Sequence, residues 1–237
     1  MELHRFFISS SDISGDIATI KGDEAYHLCR VLRLKVGFKI IVACGDEFDY
    51  HCTLLTVNEK TATAKIDSKI LNAGNPDIIL HLYQSITKHD KLDLIVQKAV
   101  ELGVTSVTLF RSANSHINNV NTERLNKIVR EAAKQCGLSK LPVLDPIIDI
   151  TQINTSVPTI CAFEWEDKVQ INKVLPIKTK ELNIIVGPEG GFTDKEIAEL
   201  KSKGVKTVSL GRRILRAETA SIVMIALTMS YTGGMTI

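Results

Sequence analysis

From about residue 76 to the end of the chain, short apolar runs alternate with segments whose apolar residues recur at helical spacing. The run at 78–83 is followed by a helical pattern at 92–100, with apolar residues every three or four positions. Alternating strands and helices fold as an α/β domain around a largely parallel sheet. Further strands are predicted at 104–110, 158–163, 183–186 and 205–210.

The part of the chain before residue 72 has a different, β-rich pattern. Apolar runs at 39–43 and 51–57 and an alternating run at 61–66 are separated by turn residues, and one short helix is predicted around 24–32. Short strands of this kind pack naturally as a small barrel. Because Gly and Pro in 72–76 break regular structure, we predict two domains, at 1–72 and 76–237.

Polar residues and glycines mark where the helices should begin and end. Asp90 and Thr122 are predicted as N-caps of two helices, with Gly103 and Gly137 just past the helix ends. The segment 193–196 reads Thr-Asp-Lys-Glu. This is the spacing of a capping box, in which each outer side chain bonds the other residue's backbone amide.

Composition limits the class of protein. The net charge is only +2, so any nucleic-acid surface must be local. The five cysteines include no Cys-x-x-Cys pair and their number is odd, and the six histidines lack ligand spacing. No apolar signal segment follows the first residues, and the apolar stretch at 222–227 is too short to span a bilayer. We therefore expect a cytoplasmic protein without a structural metal or a membrane anchor.

The segment 187–192, Gly-Pro-Glu-Gly-Gly-Phe, follows a predicted strand and precedes a predicted helix. Ligands of parallel sheets bind beyond such strand ends, and Gly190 and Gly191 would let a backbone approach one closely. The segment matches neither a dinucleotide fingerprint nor a P-loop. Because Glu189 would repel phosphate, a ligand without phosphate and with positive charge fits better. A tight turn with no ligand remains an open alternative.

The turn at 210–220 carries three arginines, Arg212, Arg213 and Arg216, before an apolar helix. Guanidinium groups at a helix N-terminus favour an anionic partner such as phosphate. More cations lie in the N-terminal part, in the loop at 84–91 and in the helix around 124–140. Such patches suit a folded RNA recognised by its shape and backbone, although solvated charged faces would leave the same pattern.

Motifs along the whole chain occur in a characteristic order and spacing. They are His27…Val31-Leu32-Arg33 with Gly37, Lys88…Lys91-Leu92-Asp93, Gln97-Lys98…Glu101-Leu102-Gly103, Glu131-Ala132…Gln135, 187–192 and 210–220. In these motifs the chain resembles the bacterial 16S ribosomal RNA uracil-N3 methyltransferases (RsmE) of the SPOUT superfamily.

The resemblance implies a PUA-like β-barrel at the N-terminus that helps to bind RNA. It further implies a C-terminal SPOUT-type α/β domain with a trefoil knot and a mostly parallel sheet, which binds S-adenosylmethionine and forms a homodimer. The implied reaction is methylation of uracil N3 in the 16S rRNA of the small ribosomal subunit. The sequence pattern itself does not indicate a knot, since knots are rare. A sulfonium donor without phosphate agrees with the argument from Glu189.

By the same resemblance, S-adenosylmethionine would lie against both glycine-containing turns, with Phe163 and Glu164 as a further wall. The predicted cofactor-binding residues are Gly187, Glu189, Gly190, Gly191, Leu210, Gly211, Ile214, Leu215, Arg216 and Thr219.

Uracil N3 must lose a proton and attack the methyl group, so a cation near the ring would stabilise the developing charge. Arg216 and Arg213 are the predicted catalytic residues, with Lys88 behind them and Glu189 as the candidate proton acceptor. The predicted RNA contacts are Arg5, His27, Arg30, Arg33, Lys35, Lys88, Lys91 and Arg130.

One position departs from the family pattern. Leu138 follows Gln135-Cys136-Gly137, where the family usually has an arginine, and Lys140 is a partial replacement. Two other functions remain open. One is a non-catalytic RNA-binding ribosome assembly factor that keeps the cofactor pocket, and the other is a phosphate-binding α/β enzyme.

Overall fold

Two units with separate sets of strands make up the chain. The structure is a computed structural model and describes residues 3–115, 119–175 and 179–235. The first unit contains the residues up to Asn75 together with Ala133–Leu141, and the second contains Pro76–Ala132 and the residues from Pro142 onward. The main division therefore falls inside the segment 72–76, and a short stretch of the later chain folds with the first unit.

The first unit is a curled six-stranded sheet in the order β1-β4-β5-β6-β3-β2. Strand β1 is parallel to β4, and the other pairs are antiparallel. Its alternating residues enclose one apolar core that includes Phe6, Ile20, Leu28 and Ile40. The elements are β1 Arg5–Phe7, β2 Ile13–Ser14, β3 Ile17–Lys21, α1 Gly22–Tyr26, a π-helical turn His27–Val31, β4 Lys39–Ala43, β5 Phe48–Val57 and β6 Thr61–Leu71.

The second unit is built on a wholly parallel sheet in the order β12-β10-β11-β7-β8-β9. Its strands are β7 Ile79–Ser85, β8 Ser106–Arg111, β9 Val143–Asp149, β10 Thr159–Ala162, β11 Glu181–Val186 and β12 Lys206–Val208. The helices are α2 His89–Glu101, α3 Thr122–Cys136, α4 Ile171–Val174, α5 Asp194–Ser202 and α6 Ala217–Thr232, and α3 ends in the stretch assigned to the first unit.

The central strands of this sheet are buried on both faces, which explains their near-continuous apolar runs. Helix α2 buries the predicted face from Leu92 to Val100, and α6 packs against it. Helix α6 also contacts the sheet, where it buries Met224 and Ile225. None of the helices within the described ranges is both long and apolar enough to cross a membrane.

The structure corrects two of the predicted helix starts. Helix α2 begins at His89 with Lys88 at the N-cap position, so Asp90 lies in the first turn and is not the cap. Helix α3 already includes Thr122, and the side chain of Asn121 caps it by accepting a hydrogen bond from the Arg124 amide at 2.9 Å. The capping box of α5 is confirmed, because the Thr193 amide donates to Glu196 at 2.8 Å and the Glu196 amide donates to the Thr193 hydroxyl at 3.3 Å.

Candidate functional site

The second unit contains a pocket of about 220 Å³ where the carboxyl ends of β10, β11 and β12 meet the start of α6. Three chain segments form most of its wall, one after each of these strands, and α2 contributes Lys91 from the side. The lining residues are Lys91, Ala162, Phe163, Glu164, Val186, Gly187, Pro188, Glu189, Gly191, Ser209, Leu210, Gly211, Arg213, Ile214, Leu215, Arg216, Ala217 and Ala220.

The loop after β11 depends on glycine at two positions. Gly191 has a φ of +72°, and a Cβ there would stand 2.1 Å from Oε1 of Glu164. At Gly187 a Cβ would meet the ring of Phe192 at 2.7 Å. Phe192 is itself held against Phe110, with the two rings parallel and their centroids 6.3 Å apart. A side chain at Gly187 would therefore meet Phe192 and one at Gly191 would meet Glu164, so glycine leaves the backbone uncovered at both positions of the pocket wall.

Polar contacts from the loop after β8 fix this glycine loop from outside. The side-chain amide of Asn114 donates to the carbonyl oxygens of Gly190 at 3.2 Å and Gly191 at 2.9 Å. The buried Glu196, which completes the capping box, also accepts from the Ala113 amide at 2.8 Å. Neighbouring side chains thus set the conformation of this loop.

The segment after β12 forms the opposite wall. The Phe163 amide donates to the carbonyl of Val208 at 3.1 Å, and the Ser209 amide donates to Val169 at 2.7 Å. Gly211 follows with a φ of +118°, a backbone conformation that favours glycine. The chain then runs through Arg213, Ile214 and Leu215 to Arg216, which occupies the N-cap position of α6.

Opposite charges meet inside the pocket. The Lys91 ammonium lies 2.5 Å from a carboxylate oxygen of Glu189 and 3.7 Å from Oε2 of Glu218. The Glu189 carboxylate raises the pKa of Lys91 above its ordinary value, although burial and Arg216 oppose the shift. Oε2 of Glu218 is buried and, among the described residues, has no hydrogen-bond partner. The single positive charge of Lys91 therefore lies near two carboxylates.

A buried hydrogen bond joins the pocket helix to the sheet. The Ser221 hydroxyl on α6 lies 2.6 Å from Oε1 of Gln84 on β7, and the Gln84 amide donates to the Ser85 carbonyl at 3.0 Å. Gln84 and Ser221 have no exposed surface. This contact fixes the start of α6, and with it the pocket wall at Ala217 and Ala220.

Most residues predicted to bind the cofactor are brought together in this pocket. Gly190, Thr219 and Lys88 are exposed and are not among its lining residues. The Gly190 carbonyl is directed to Asn114, while Thr219 lies on another side of α6 from Ala217 and Ala220. The predicted residues that do line the pocket are Gly187, Glu189, Gly191, Leu210, Gly211, Arg213, Ile214, Leu215 and Arg216.

Sequence reasoning missed several residues of the wall. Lys91 was predicted as an RNA contact, yet it lines the pocket and pairs with Glu189. The sequence did offer one signal for these wall residues, which is their position after predicted strands. The carboxyl ends of parallel strands share one edge of the sheet, so the residues that follow them lie close together. That signal identifies the residues after each strand, but it does not show which helical side chain reaches them. The wall residues not predicted are Ala162, Val186, Pro188, Ser209, Ala217 and Ala220.

Comparison with known proteins identifies the family. Residues 75–229 match an RNA methyltransferase domain, and residues 20–67 match an RNA methyltransferase PUA domain. Over 232 residues the chain is 30% identical to the ribosomal RNA small subunit methyltransferase E of Rickettsia conorii, with 95% of each chain covered. The Bacillus subtilis protein of the same name is 30% identical over 222 residues, with 86% of each covered. This chain belongs to the ribosomal RNA small subunit methyltransferase E family.

A solved structure of a methyltransferase E supports the assignment of the fold. The protein from Neisseria gonorrhoeae, which was solved bound to S-adenosyl methionine, has a TM-score of 0.88 and 25% sequence identity. The alignment covers 97% of this chain and 98% of that one. The PUA and α/β parts predicted from the methyltransferase E resemblance are therefore confirmed at the level of fold.

The residues predicted as RNA contacts from the methyltransferase E resemblance differ in exposure and in their ion pairs. The guanidinium of Arg5 forms a two-point ion pair with Asp49, with one bond of 2.8 Å, and only 7% of its side chain is exposed. Asp49 therefore holds the Arg5 side chain within the first unit, and the RNA contact of Arg5 stays a prediction. Arg30 is 60% exposed but pairs with Glu59. Arg33 and Lys35 are exposed, while His27 and Arg130 are partly buried.

Leu138, the position that departs from the methyltransferase E pattern, is buried. Leu138 is 5% exposed and its amide donates to the Ala133 carbonyl at 3.0 Å. Lys140 pairs with Glu47 at 3.1 Å, within the first unit. A leucine at 138 thus contributes to packing instead of presenting a charge. In the described ranges, no group of three or more His, Cys, Asp or Glu side chains is arranged to hold a metal ion.

Proposed function

We propose that this protein transfers a methyl group from S-adenosylmethionine to N3 of a uracil in the 16S rRNA of the small ribosomal subunit. The observation that carries the proposal is the pocket at the strand ends of the second unit. It combines the glycine-containing loop after β11, acidic residues and an arginine-bearing turn in a chain whose residues 75–229 match an RNA methyltransferase domain. The names of the Rickettsia conorii and Bacillus subtilis relatives support the choice of small-subunit rRNA.

The residues present fit the donor. Glu164 and Glu189 line the pocket, and the buried Oε2 of Glu218, 3.7 Å from the Lys91 ammonium, has no hydrogen-bond partner within the part of the chain that the structure describes. These carboxylates suit a cationic ligand without phosphate. When bound, S-adenosylmethionine supplies a methyl group activated by a sulfonium. The groups proposed to hold it are the backbone of Gly187, Gly191, Leu210 and Gly211 with Ile214 and Leu215.

The arginines of the second turn would act on the uracil. Arg213 and Arg216 line the pocket and are exposed, so a base brought to its mouth would meet both guanidinium groups. Their charge would stabilise the negative charge that develops on the ring as N3 loses its proton. Glu189 is poorly placed as the proton acceptor, because it is already paired with Lys91. Lys88 lies outside the pocket and is proposed only as an RNA contact.

The wider assembly is part of the same proposal. We assign RNA binding to residues 1–72 and methyl transfer to residues 76–237, in a cytoplasmic homodimer whose second unit carries a trefoil knot. The match of residues 20–67 to an RNA methyltransferase PUA domain supports the first assignment. The exposed Arg33 and Lys35 of that unit, together with Lys88 and Arg130 of the second, are the proposed phosphate contacts.

Mass analysis of 16S rRNA from cells lacking the gene tests the proposal directly. We expect one uridine to lose a methyl group and to regain it when the wild-type gene is restored. Tritium transfer from labelled S-adenosylmethionine to isolated 30S subunits and to free 16S rRNA would identify the substrate form. Binding of donor and RNA without any transfer would instead support the assembly factor. Binding of a nucleoside triphosphate but not of the donor would support the phosphate-binding enzyme.

A further inference from the structure

Lys91 is the most enclosed of the cations that line the donor pocket. Its side chain is 25% exposed, whereas Arg213 and Arg216, which also line the pocket, are exposed residues. Lys91 comes from α2, a different part of the fold from the two glycine-containing turns. Water and salt screen an enclosed charge less than an exposed one. Lys91 should therefore influence the electrostatics of the pocket more than either arginine.

The partners of Lys91 are the two acids that give this part of the pocket its negative charge. The Lys91 ammonium is 2.5 Å from Glu189, which lines the pocket, and 3.7 Å from the buried Oε2 of Glu218. The side chain of Glu218 is 14% exposed. One positive charge thus offsets part of two negative charges, and a cationic ligand must compete with Lys91 for the same carboxylates.

We propose that Lys91 sets the charge of the pocket so that the cationic methyl donor is bound only moderately better than its neutral product. This inference rests on the proposed function, because it takes S-adenosylmethionine as the ligand. Methyl transfer leaves S-adenosylhomocysteine, which lacks the methyl group and the sulfonium charge. A pocket with uncompensated Glu189 and Glu218 would favour the cation strongly. Lys91 limits that preference, so it acts as a specificity-determining residue.

The ratio of two dissociation constants isolates this effect. S-adenosylmethionine and S-adenosylhomocysteine share the adenosine and the amino acid part, so a change in those contacts alters both constants together. Only the methyl group and its charge differ between them. The measurable quantity is the dissociation constant of the product divided by that of the donor. Loss of a cation from the pocket should raise this ratio, and loss of an anion should lower it.

The experiment is calorimetric titration of both ligands into the full-length protein. The test variants are Lys91→Met, which removes the charge, Lys91→Arg, which keeps it, and Glu189→Gln, which removes a negative charge. The matched control is Lys98→Met on the same helix, because Lys98 pairs with Glu101 at 2.8 Å and does not line the pocket. The fluorescence of Trp165, the single tryptophan and the neighbour of Glu164, provides a second binding signal.

We expect Lys91→Met to raise the ratio by roughly three- to tenfold and Glu189→Gln to lower it, as for one charge in a partly screened site. Lys91→Arg and Lys98→Met should stay within about twofold of the wild type. A wild type that binds both ligands, with an unchanged ratio in Lys91→Met and Glu189→Gln, would overturn the inference alone. A wild type that binds neither ligand would overturn the proposed function as well.

Discussion

A methyl group added to Gly191 would stand 2.1 Å from Oε1 of Glu164, at a residue whose φ is +72°. Gly191→Ala must therefore displace the carboxylate or the loop, and both form the pocket wall. Glu164 is exposed and its carboxylate can move aside, but this changes the pocket wall, so we expect donor affinity to fall by roughly two- to tenfold, up to about 1.4 kcal/mol. Calorimetric titration with S-adenosylmethionine measures this change.

Gly204→Ala is the matched control for that variant. Gly204 follows α5 with a φ of +84°, and nothing lies within 4 Å of an added Cβ. The Gly204→Ala protein should therefore lose about 1 kcal/mol of stability through backbone strain, while its donor affinity stays unchanged. Equal losses of donor affinity in the two variants would show that general destabilisation, and not the contact with Glu164, explains the effect.

The buried bond between Ser221 and Gln84 predicts a loss of stability. Ser221→Ala would leave Oε1 of Gln84 without its 2.6 Å partner in a site with no exposed surface. An unsatisfied buried acceptor costs about 1–3 kcal/mol. We expect the free energy of unfolding in urea to fall by that amount.

Two further variants test whether the buried acceptor is the cause. Ser202→Ala removes an exposed helical hydroxyl on α5 and should change stability by less than about 0.5 kcal/mol. In the double variant Ser221→Ala with Gln84→Met, no unsatisfied amide remains, so we expect part of the stability to return. A double variant that is less stable than Ser221→Ala would contradict this explanation.

Local patterns predicted much of the fold. The apolar runs located β4 and the central strands of the parallel sheet, and the spacing of Thr193 and Glu196 located the start of α5. Strand β9 was missed because Pro146 and two aspartates interrupt its pattern. Such a strand is tolerated at a sheet edge, where β9 lies with an irregular register against β8.

The parts of the site that depend on contacts between distant residues could not be predicted from the sequence. The glycine loop was predicted because its constraint is local, as the positive φ of Gly191 shows. The pairing of Lys91 with Glu189, and of Arg5 with Asp49, joins residues far apart in the chain. No spacing rule reports such pairs, so neither ion pair was predicted, and the RNA contacts of Lys91 and Arg5 stay predictions. The knot is likewise a property of how the whole chain is threaded, and it stays a prediction.

Arg216→Ala tests the proposed separation of binding from catalysis. Arg216 occupies the N-cap position of α6, is exposed and lines the pocket. Its truncation should leave donor affinity nearly unchanged but slow methyl transfer by roughly 10²–10³-fold, as for loss of one charge-stabilising group. Single-turnover transfer at saturating donor and RNA measures the rate.

Arg212→Ala is the control for Arg216→Ala. Arg212 is also exposed in the same turn, but it is not among the residues that line the pocket. We expect its single-turnover rate to stay within about threefold of the wild type, as for a surface charge away from the reacting atoms. An unchanged rate in Arg216→Ala would refute the role given to that guanidinium.

The carboxylate of Asp46 predicts a defined pH dependence for the first unit. Burial alone would raise its pKa, but hydrogen bonds from Tyr50 at 2.5 Å and Lys69 at 3.0 Å outweigh this and lower the pKa to about 2. Because the folded pKa lies below the ordinary value of 3.8 for an aspartate, the stabilisation is complete above pH 3.8 and is lost as pH falls toward 2. Asp46→Asn should therefore cost about 0.5–1 kcal/mol at neutral pH, after allowance for solvent screening, and much less near pH 2. Urea unfolding of both proteins across this range measures the difference, with the exposed Asp16→Asn as control, and a cost independent of pH would contradict the assignment.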